Sequence, residues 1–307
     1  MREQLKGLLE SAVTRSGTAV LARRRKSGAT LVLAYHNIVP TGREIAGDRS
    51  LHLPQSAFAR QLDTIERTHT VVTLDTLLKP ESAKGKDRRP RVAITFDDAC
   101  QGAVTVGVEE LVSRGLPATV FVAPAFIGGS SFWWDALSRE KSLTAEDRDE
   151  ALNGLQGKDE EVRAWAVRSG RPLRDVPQHQ TAATEEQLQL LDRTAGITLG
   201  SHTWSHPNLP RLSEKELGVE LARPMAWLRE RFRSFVPWLA YPYGLAGSRE
   251  MAAAAATGYE GALMVDGGWL PRMPNRLERR CALPRLNVPA GISLHGFELR
   301  IAGLLHG

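Results

Sequence analysis

Short apolar runs rich in strand-forming residues alternate with helical patterns along most of the chain. The stretch from Arg91 to Phe96 and the stretch from Ala118 to Val122 each have the length of a strand. Between such runs, apolar residues recur at the 3.6-residue spacing of a helix, as at Phe58, Leu62 and Ile65. The alternation predicts an α/β fold with a parallel sheet, and the number of repeats predicts a closed or nearly closed barrel. A polar, charge-rich stretch at about residues 128–183 interrupts the pattern and predicts a helical insertion over one end of the barrel.

The positive charge of the chain lies at its N-terminus. The formal net charge is +5, and residues 1–28 hold seven basic and two acidic residues, so the remainder of the 307-residue chain is neutral. A nucleic-acid enzyme would spread basic charge over its working face, so we expect no nucleic-acid partner. We therefore predict a basic N-terminal helical extension over residues 1–28 and one domain over residues 29–307.

The N-terminal segment bears on location. Leu5, Leu8, Leu9 and Val13 recur at helical spacing beside the basic residues. This pattern fits a helix on an anionic membrane surface, and it also fits a helix packed on the domain with its charged face in solvent. No apolar run reaches the ~20 residues that a bilayer requires, and the segment lacks the continuous apolar stretch of a signal peptide. We expect a cytoplasmic protein, with peripheral contact at the inner membrane face as one alternative.

Two adjacent carboxylates, Asp97 and Asp98, follow the predicted strand Arg91 to Phe96 directly. Barrel enzymes keep their chemistry at the carboxyl ends of the strands. Adjacent side chains point in different directions, so one carboxylate can bind a metal while its neighbour faces the substrate. An Asp-Asp pair alone is more often a solvated turn or a helix cap.

A histidine pair supports the functional interpretation. His202 and His206 follow another predicted strand, and two histidines four residues apart reach one point if the segment is helical. Together with Asp98 they form a set of two histidines and one carboxylate, which leaves metal positions for water and substrate. The glutamate that zinc proteases carry beside the first histidine is missing here.

These segments resemble those of a known family. Thr95-Phe96-Asp97-Asp98 and the segment from His202 to His206 are similar to the first two motifs of the polysaccharide deacetylase family, also called the NodB-homology domain or carbohydrate esterase family 4. Tyr241-Pro242-Tyr243-Gly244 resembles the third motif in one branch of that family. The resemblance spans about residues 30–290 in the family's order.

The resemblance implies a distorted (β/α) barrel that hydrolyses N-acetyl groups, and sometimes O-acetyl groups, on sugars. It assigns Zn²⁺, or another divalent cation such as Co²⁺, Ni²⁺, Mn²⁺ or Fe²⁺, to Asp98, His202 and His206. It makes Asp97 the general base and an N-acetylated carbohydrate of a cell-surface polysaccharide, or its precursor, the substrate. The residue types fit this chemistry, since a metal acidifies water and a carboxylate can take the remaining proton.

The other catalytic roles are less uniform within the family. The resemblance points to the backbone N–H of Tyr243 as the oxyanion donor. The general acid is a histidine, and both His36 and His295 are candidates. His36 is favoured because the third motif resembles that of deacetylases whose acid is a histidine at the end of the first strand, and His36 follows the predicted strand from Leu31 to Tyr35. Arg285 either orients Asp97 or forms a salt bridge at the barrel rim.

Aromatic residues offer flat faces to sugar rings, and Trp204 and Trp269 are the predicted substrate contacts. Two other functions remain open for the chain. One keeps the fold and the metal but hydrolyses an O-acetyl sugar or a small cyclic amide. The other is a carbohydrate-binding protein without catalysis, which the presence of all four key positions disfavours.

Overall fold

The structure is a computed structural model, and it describes residues 10–14, 16–78, 89–138, 143–270 and 276–305. The strands in these ranges are β1 (Thr30–Tyr35), β2 (Asn37–Val39), β3 (His52–Pro54), β4 (Thr70–Val71), β5 (Arg91–Phe96), β6 (Ala118–Val122), β7 (Ile197–Ser201), β8 (Phe235–Ala240), β9 (Gly261–Leu263), β10 (Trp269–Leu270) and β11 (Leu286–Asn287). The α-helices are α1 (Thr18–Arg25), α2 (Gln55–Thr68), α3 (Leu74–Leu78), α4 (Val108–Val112), α5 (Trp133–Leu137), α6 (Ala145–Asp149), α7 (Asp159–Arg168), α8 (Glu185–Asp192), α9 (Glu214–Arg231), α10 (Ser248–Thr257), α11 (Leu277–Arg280) and α12 (Leu294–Ile301).

The main sheet runs in the order β10-β1-β5-β6-β7-β8-β9, and every neighbouring pair is parallel except β10 with β1. Strand β6 pairs with β5 only at Thr95 and Phe96, and the short β4 occupies the same side of β5 at its beginning. The strands therefore splay apart at one end, as expected for a distorted barrel. Capping boxes at Thr184 and Ser213 begin α8 and α9.

One irregular segment closes the barrel. Leu283 forms a parallel bridge with Leu263 of β9, and three residues later Leu286 pairs with Leu33 of β1. The chain from residue 283 to residue 287 thus joins the last strand of the sheet to the first. The predicted α/β barrel is confirmed, and the regular ladder of this closing segment is only two residues long.

The barrel interior is filled by large rings that need glycine neighbours. Phe121 and Trp238 are fully buried inside it. A Cβ at Gly200 would lie 2.5 Å from the Phe121 ring, and a Cβ at Gly261 would lie 2.5 Å from the Trp238 ring. Outside the strands, a second apolar layer packs the helices onto the sheet, which explains why the strands are buried on both faces.

The N-terminal helix that we predicted lies partly outside the described residues. Within them, Ala19 of α1 packs against Leu299 and Ala302, and the Glu10 carboxylate accepts a 2.6 Å hydrogen bond from Ser293. None of the helices in the described ranges combines the length and the apolarity needed to cross a bilayer. The boundary at residue 28 and the membrane contact stay predictions.

The interrupting segment contains several helices joined by loops where it is described. Helices α5, α6 and α7 lie in residues 128–138 and 143–183, and no strand occurs within these two ranges. The segment contacts the barrel at the carboxyl ends of the strands, where Cys100 forms an antiparallel bridge with Ala182.

A buried histidine at the end of α2 makes folding stability depend on pH. His69 lies between the Thr68 hydroxyl and the Ile301 carbonyl, and its ring stacks on Trp269. Burial lowers the pKa of His69 to about 4; the hydrogen bond to Ile301 opposes this, and the charge of Arg23 adds to it. The unfolded chain therefore binds this proton more tightly than the folded protein does.

We predict that the stability gained while His69 is neutral is fully present above about pH 6.5 and is lost as the pH falls toward 4. For His69 alone, the free energy of unfolding should fall by about 2 kcal/mol between pH 7.5 and pH 5.0. Urea unfolding of the wild type and His69→Gln at both pH values measures this, and the variant should lose about 2 kcal/mol less than the wild type. His295→Gln is the control on a partly exposed histidine. Equal losses in wild type and His69→Gln would contradict the prediction.

Candidate functional site

The first motif changes backbone direction within one residue. The Asp97 N–H still donates to the Tyr35 carbonyl at 2.9 Å, which extends the β1–β5 ladder by one residue. Asp98 and Ala99 then adopt φ values of 68° and 49°, in the left-handed region that side chains with a Cβ rarely occupy. The reversal directs the two carboxylates to different partners, as the sequence predicted.

Asp98, His202 and His206 meet at one buried point. Their ligand atoms all lie within 4.8 Å of one another. The Nε2 atoms of the two histidines are 3.1 Å apart, and Asp98 Oδ1 lies 3.5 Å from His202 Nε2 and 3.4 Å from His206 Nε2. Two imidazoles and a carboxylate in this arrangement match the donor set of zinc and similar divalent ions.

The polar atoms at this point fit a cation. Asp98 Oδ1 is buried and has no hydrogen-bond partner among the described residues. His202 Nδ1 donates to the Ala240 carbonyl at 2.8 Å, so the lone pair on Nε2 faces Asp98 and His206. Burial lowers the pKa of His206 to about 3. That imidazole is therefore neutral, as a metal ligand must be.

The histidines converge without a helix, which corrects one expectation. Residues 202–206 form a loop in which Thr203 and His206 have φ values of 63° and 57°. The Glu220 carboxylate of α9 accepts hydrogen bonds from the backbone N–H groups of Trp204 and Ser205 at 2.9 and 2.8 Å. Two backbone reversals, stabilised by this carboxylate, bring the imidazoles together. The expectation was that the spacing of a helix would do so.

Arg285 and Asp97 form a buried, two-pronged ion pair. Arg285 Nη1 donates to Asp97 Oδ1 at 2.7 Å and Nη2 donates to Oδ2 at 2.8 Å. Nη1 also donates to the Thr95 hydroxyl, and Nε donates to the Met264 carbonyl. Burial alone would raise the pKa of Asp97, but the Arg285 charge holds it well below its ordinary value. Of the two roles left open for Arg285, the structure shows the contact with Asp97.

His36 and Tyr243 line the same cavity as the Asp97 and Asp98 carboxylates. His36 follows β1, is half-buried, and its imidazole has no hydrogen bond to the described residues. Tyr243 has a φ of 58°, and the adjacent Gly244 leaves no room for a Cβ, which would lie 2.6 Å from Val265. The third motif therefore bends its backbone toward the cavity.

Three predicted positions lie away from this cavity. His295 is on α12, with Nδ1 3.7 Å from Glu298 Oε2. Trp269 pairs with Leu31 near the beginning of β1, the opposite end of that strand from His36, so it does not line this cavity. Trp204 faces the neighbouring groove, and the Arg223 guanidinium covers its ring at 3.5 Å, so its role as a substrate contact stays a prediction.

The cavity has a volume of about 420 Å³, and several of its lining residues escaped sequence reasoning. Trp134 packs on the His206 ring at 4.8 Å, and Trp133 Nε1 donates to the Tyr243 hydroxyl at 3.3 Å. Arg148 of α6 and Asn287 of β11 complete the wall beside His36. The flat aromatic faces of the tryptophans are a signal that could have indicated them, whereas no local pattern marked Arg148 or Asn287.

Because the Asp97 carboxylate is buried, we predict that it depends on its partner for stability. Arg285→Met leaves an unpaired buried charge and should lower the free energy of unfolding by about 3–5 kcal/mol. Adding Asp97→Asn removes that charge and should restore part of the loss. Denaturant unfolding of both single variants and the double variant, in chelator, gives the coupling energy. Additive losses would show that the two side chains do not interact.

Comparison with known proteins places the chain in a family. The family model for polysaccharide deacetylase matches residues 84–262, more than half of the chain. No curated protein sequence matches the chain. Similar solved structures include IcaB from Ammonifex degensii, with a TM-score of 0.60 and 16% identity over 90% of this chain and 96% of that one. The deacetylase PplD from Streptococcus pyogenes, in complex with acetate, has a TM-score of 0.58 and 15% identity over 87% of this chain and 96% of that one.

A third similar structure is a de-N-acetylase from Aggregatibacter actinomycetemcomitans, with a TM-score of 0.59 and 14% identity over 90% of this chain and 100% of that one. These similarities at low identity extend over nearly the whole length of each chain, so they show a shared fold. The family match covers more than half of the chain, and it therefore establishes membership of the family. The chain belongs to the polysaccharide deacetylase family, and it is a hydrolase of the deacetylase class.

Proposed function

We propose that this protein removes N-acetyl groups from an amino sugar of a cell-surface polysaccharide or its precursor, with a divalent metal ion, zinc in the first instance. The observation that carries the proposal is the convergence of Asp98, His202 and His206 beside the ion-paired carboxylate of Asp97, in one cavity. The cavity volume of about 420 Å³ is in the range of small-molecule sites. The similar structure described as a de-N-acetylase supports the choice of an amide over an ester.

The proposed metal site uses Asp98, His202 and His206. When bound, a divalent ion would lower the pKa of a water molecule and polarise the acetyl carbonyl. The chain's own contribution is to hold the donor atoms within a few ångströms and to fix the tautomer of His202 through the Ala240 carbonyl.

Asp97 is the proposed general base. Arg285 keeps this carboxylate ionised and fixes its plane with two hydrogen bonds, so it is ready to take a proton from the attacking water. Each carboxylate oxygen can accept a second hydrogen bond, which leaves room for that water. The ion pair also makes the Asp97 carboxylate a weaker base than a free carboxylate would be. Its contribution to catalysis therefore depends on its position more than on its basicity.

His36 is the proposed general acid. Its imidazole lines the cavity together with both carboxylates, and no described residue competes for its ring nitrogens. It can therefore donate a proton to the departing amine, which leaves far more easily once protonated. His295 lies outside the cavity lining and on a different element, which favours His36 over the alternative.

The backbone N–H of Tyr243 is the proposed oxyanion donor. The left-handed turn at Tyr243, with Gly244 packed on Val265, fixes this part of the wall. The Tyr243 hydroxyl donates to the His206 carbonyl at 3.2 Å, which links the turn to the histidine loop. A donor held rigidly where negative charge develops needs no reorganisation during the reaction.

Metal binding tests the first part of the proposal. We expect one Zn²⁺ or Co²⁺ ion per chain after chelator treatment and re-addition, with a rise in thermal unfolding temperature because the ion binds the folded state. His202→Ala and Asp98→Ala should abolish stoichiometric binding, and His36→Ala should retain it. Calorimetric titration and elemental analysis give affinity and stoichiometry. One ion per chain in His202→Ala would place the metal elsewhere.

Acetate release from a chitooligosaccharide tests the reaction. Zinc-loaded wild type should release acetate, Asp97→Asn should reduce the rate below detection, and His36→Asn should lower kcat by about 10²–10⁴-fold. His295→Asn is the matched histidine control and should retain the wild-type rate. A loss of activity in His295→Asn with His36→Asn unaffected would reverse the assignment of the acid. Zinc-independent release, or full activity in Asp97→Asn, would refute the mechanism.

A further inference from the structure

One cation in the cavity wall has no part in the proposed reaction. Arg148 of α6 lines the cavity, and its side chain is 47% exposed. Its guanidinium makes one contact, in which Nη2 donates to Asp48 Oδ2 at 2.9 Å. The other guanidinium N–H groups have no hydrogen-bond partner among the described residues.

The partner of Arg148 is held rigidly from beneath. The Asp48 side chain is only 6% exposed, and its Oδ1 accepts hydrogen bonds from the Ser50 hydroxyl at 2.7 Å and the Ser50 N–H at 3.1 Å. The Asp48 N–H donates to Asp135 Oδ1 at 2.9 Å, and Asp135 also accepts from His52. Asp48 is therefore a fixed anchor that positions the guanidinium and leaves its other donors free.

The charges around the cavity leave these donors without an internal anion. Asp97 is neutralised by Arg285, Asp48 already accepts its hydrogen bonds, and Asp98 belongs to the metal set. Stability does not require this arrangement, because a partly exposed ion pair contributes only about 0–1 kcal/mol. An arginine with free donors is suited to bind a carboxylate or a phosphate through two parallel hydrogen bonds.

We propose that Arg148 binds an oxyanion carried by the substrate sugar, so that the preferred substrate is an N-acetylated sugar with a phosphate or carboxylate group close to its acetamido group. The inference rests on the proposed deacetylase function and narrows its substrate class. In a 2-acetamido sugar, C2 bears the acetamido group, and its two ring neighbours are the anomeric carbon C1 and the carbon C3. Because Arg148 lines the same cavity as Asp97 and the proposed metal ligands, we expect an anion attached at either place to come within its reach.

Two matched pairs of substrates test the proposal with the zinc-loaded protein. The first pair is the anomeric phosphate and the methyl glycoside of N-acetylglucosamine, and the second is N-acetylmuramic acid and N-acetylglucosamine. Acetate release should give kcat/KM values about 10–100-fold higher for the anionic member of at least one pair, since a charge-assisted hydrogen bond contributes about 1.5–3 kcal/mol. The pair that shows the preference identifies the oxyanion as phosphate or carboxylate.

Variants of Arg148 separate recognition from structure. Arg148→Gln should abolish the preference through a higher KM for the anionic sugar, with the neutral sugar unaffected, and Arg148→Lys should retain part of it. Arg171→Gln is the matched control, because Arg171 lies in the same insertion and pairs with Asp147 at 2.7 Å but does not line the cavity. No preference in the wild type, or equal losses on both sugars in Arg148→Gln, would overturn the proposal.

A binding measurement keeps the inference separate from the proposed reaction. If none of the four sugars releases acetate, the proposed function fails on these substrates, and calorimetric titration with the two anionic sugars decides the inference. Binding about tenfold weaker to Arg148→Gln than to wild type would support Arg148 as an oxyanion site. Equal affinities would overturn it.

Discussion

Asp97 and Arg285 meet in the interior of the barrel, and the geometry of the site depends on that ion pair. Taking two charges out of water costs several kcal/mol per ion, and the pair recovers this only through its two hydrogen bonds and those of Arg285 to Thr95 and Met264. Arg285 belongs to the segment that closes the barrel between β9 and β1. The same segment therefore closes the sheet and orients the carboxylate of the proposed base.

Backbone strain is concentrated around the same cavity. Of the six residues with a Cβ and positive φ in the described part of the chain, five lie in the three motifs or directly after one: Asp98, Ala99, Thr203, His206 and Tyr243. Each such residue costs about 1–3 kcal/mol and persists only where the surrounding structure determines it. Here that structure includes the Glu220 carboxylate under the histidine loop and the Val265 backbone against Gly244. The strain gives two histidines and an aspartate one meeting point, which unstrained strand ends would not provide.

The sequence was sufficient where a local pattern and a general rule of folds coincide. Period and strand length predicted β5 and β6 with their observed bounds, and the rule that barrel strands end at the site predicted where Asp98 and His202 lie. It failed where the answer depends on tertiary context. Helical spacing suggested a helix for residues 202–206, but the reversals at Thr203 and His206 have no signature in the sequence. The flat ring of Trp269 suggested a substrate contact, but β10 pairs with the end of β1 opposite to His36, which no local pattern indicates.

The cavity wall combines residues that follow barrel strands with residues from the helical segment predicted as an insertion. This division bears on how the preference for one sugar over another could change while the hydrolytic reaction is kept. The proposed metal ligands, base and acid all follow barrel strands, whereas Trp134 and Arg148 come from the insertion. A barrel strand end cannot change without affecting the sheet, but a helix that covers the cavity can exchange side chains at little structural cost. The separation is incomplete, because Trp134 packs on His206 and Trp133 donates to Tyr243. Residues that touch the motifs should therefore constrain the reaction, and those that face only the open cavity, such as Arg148, remain free to set which sugar is accepted.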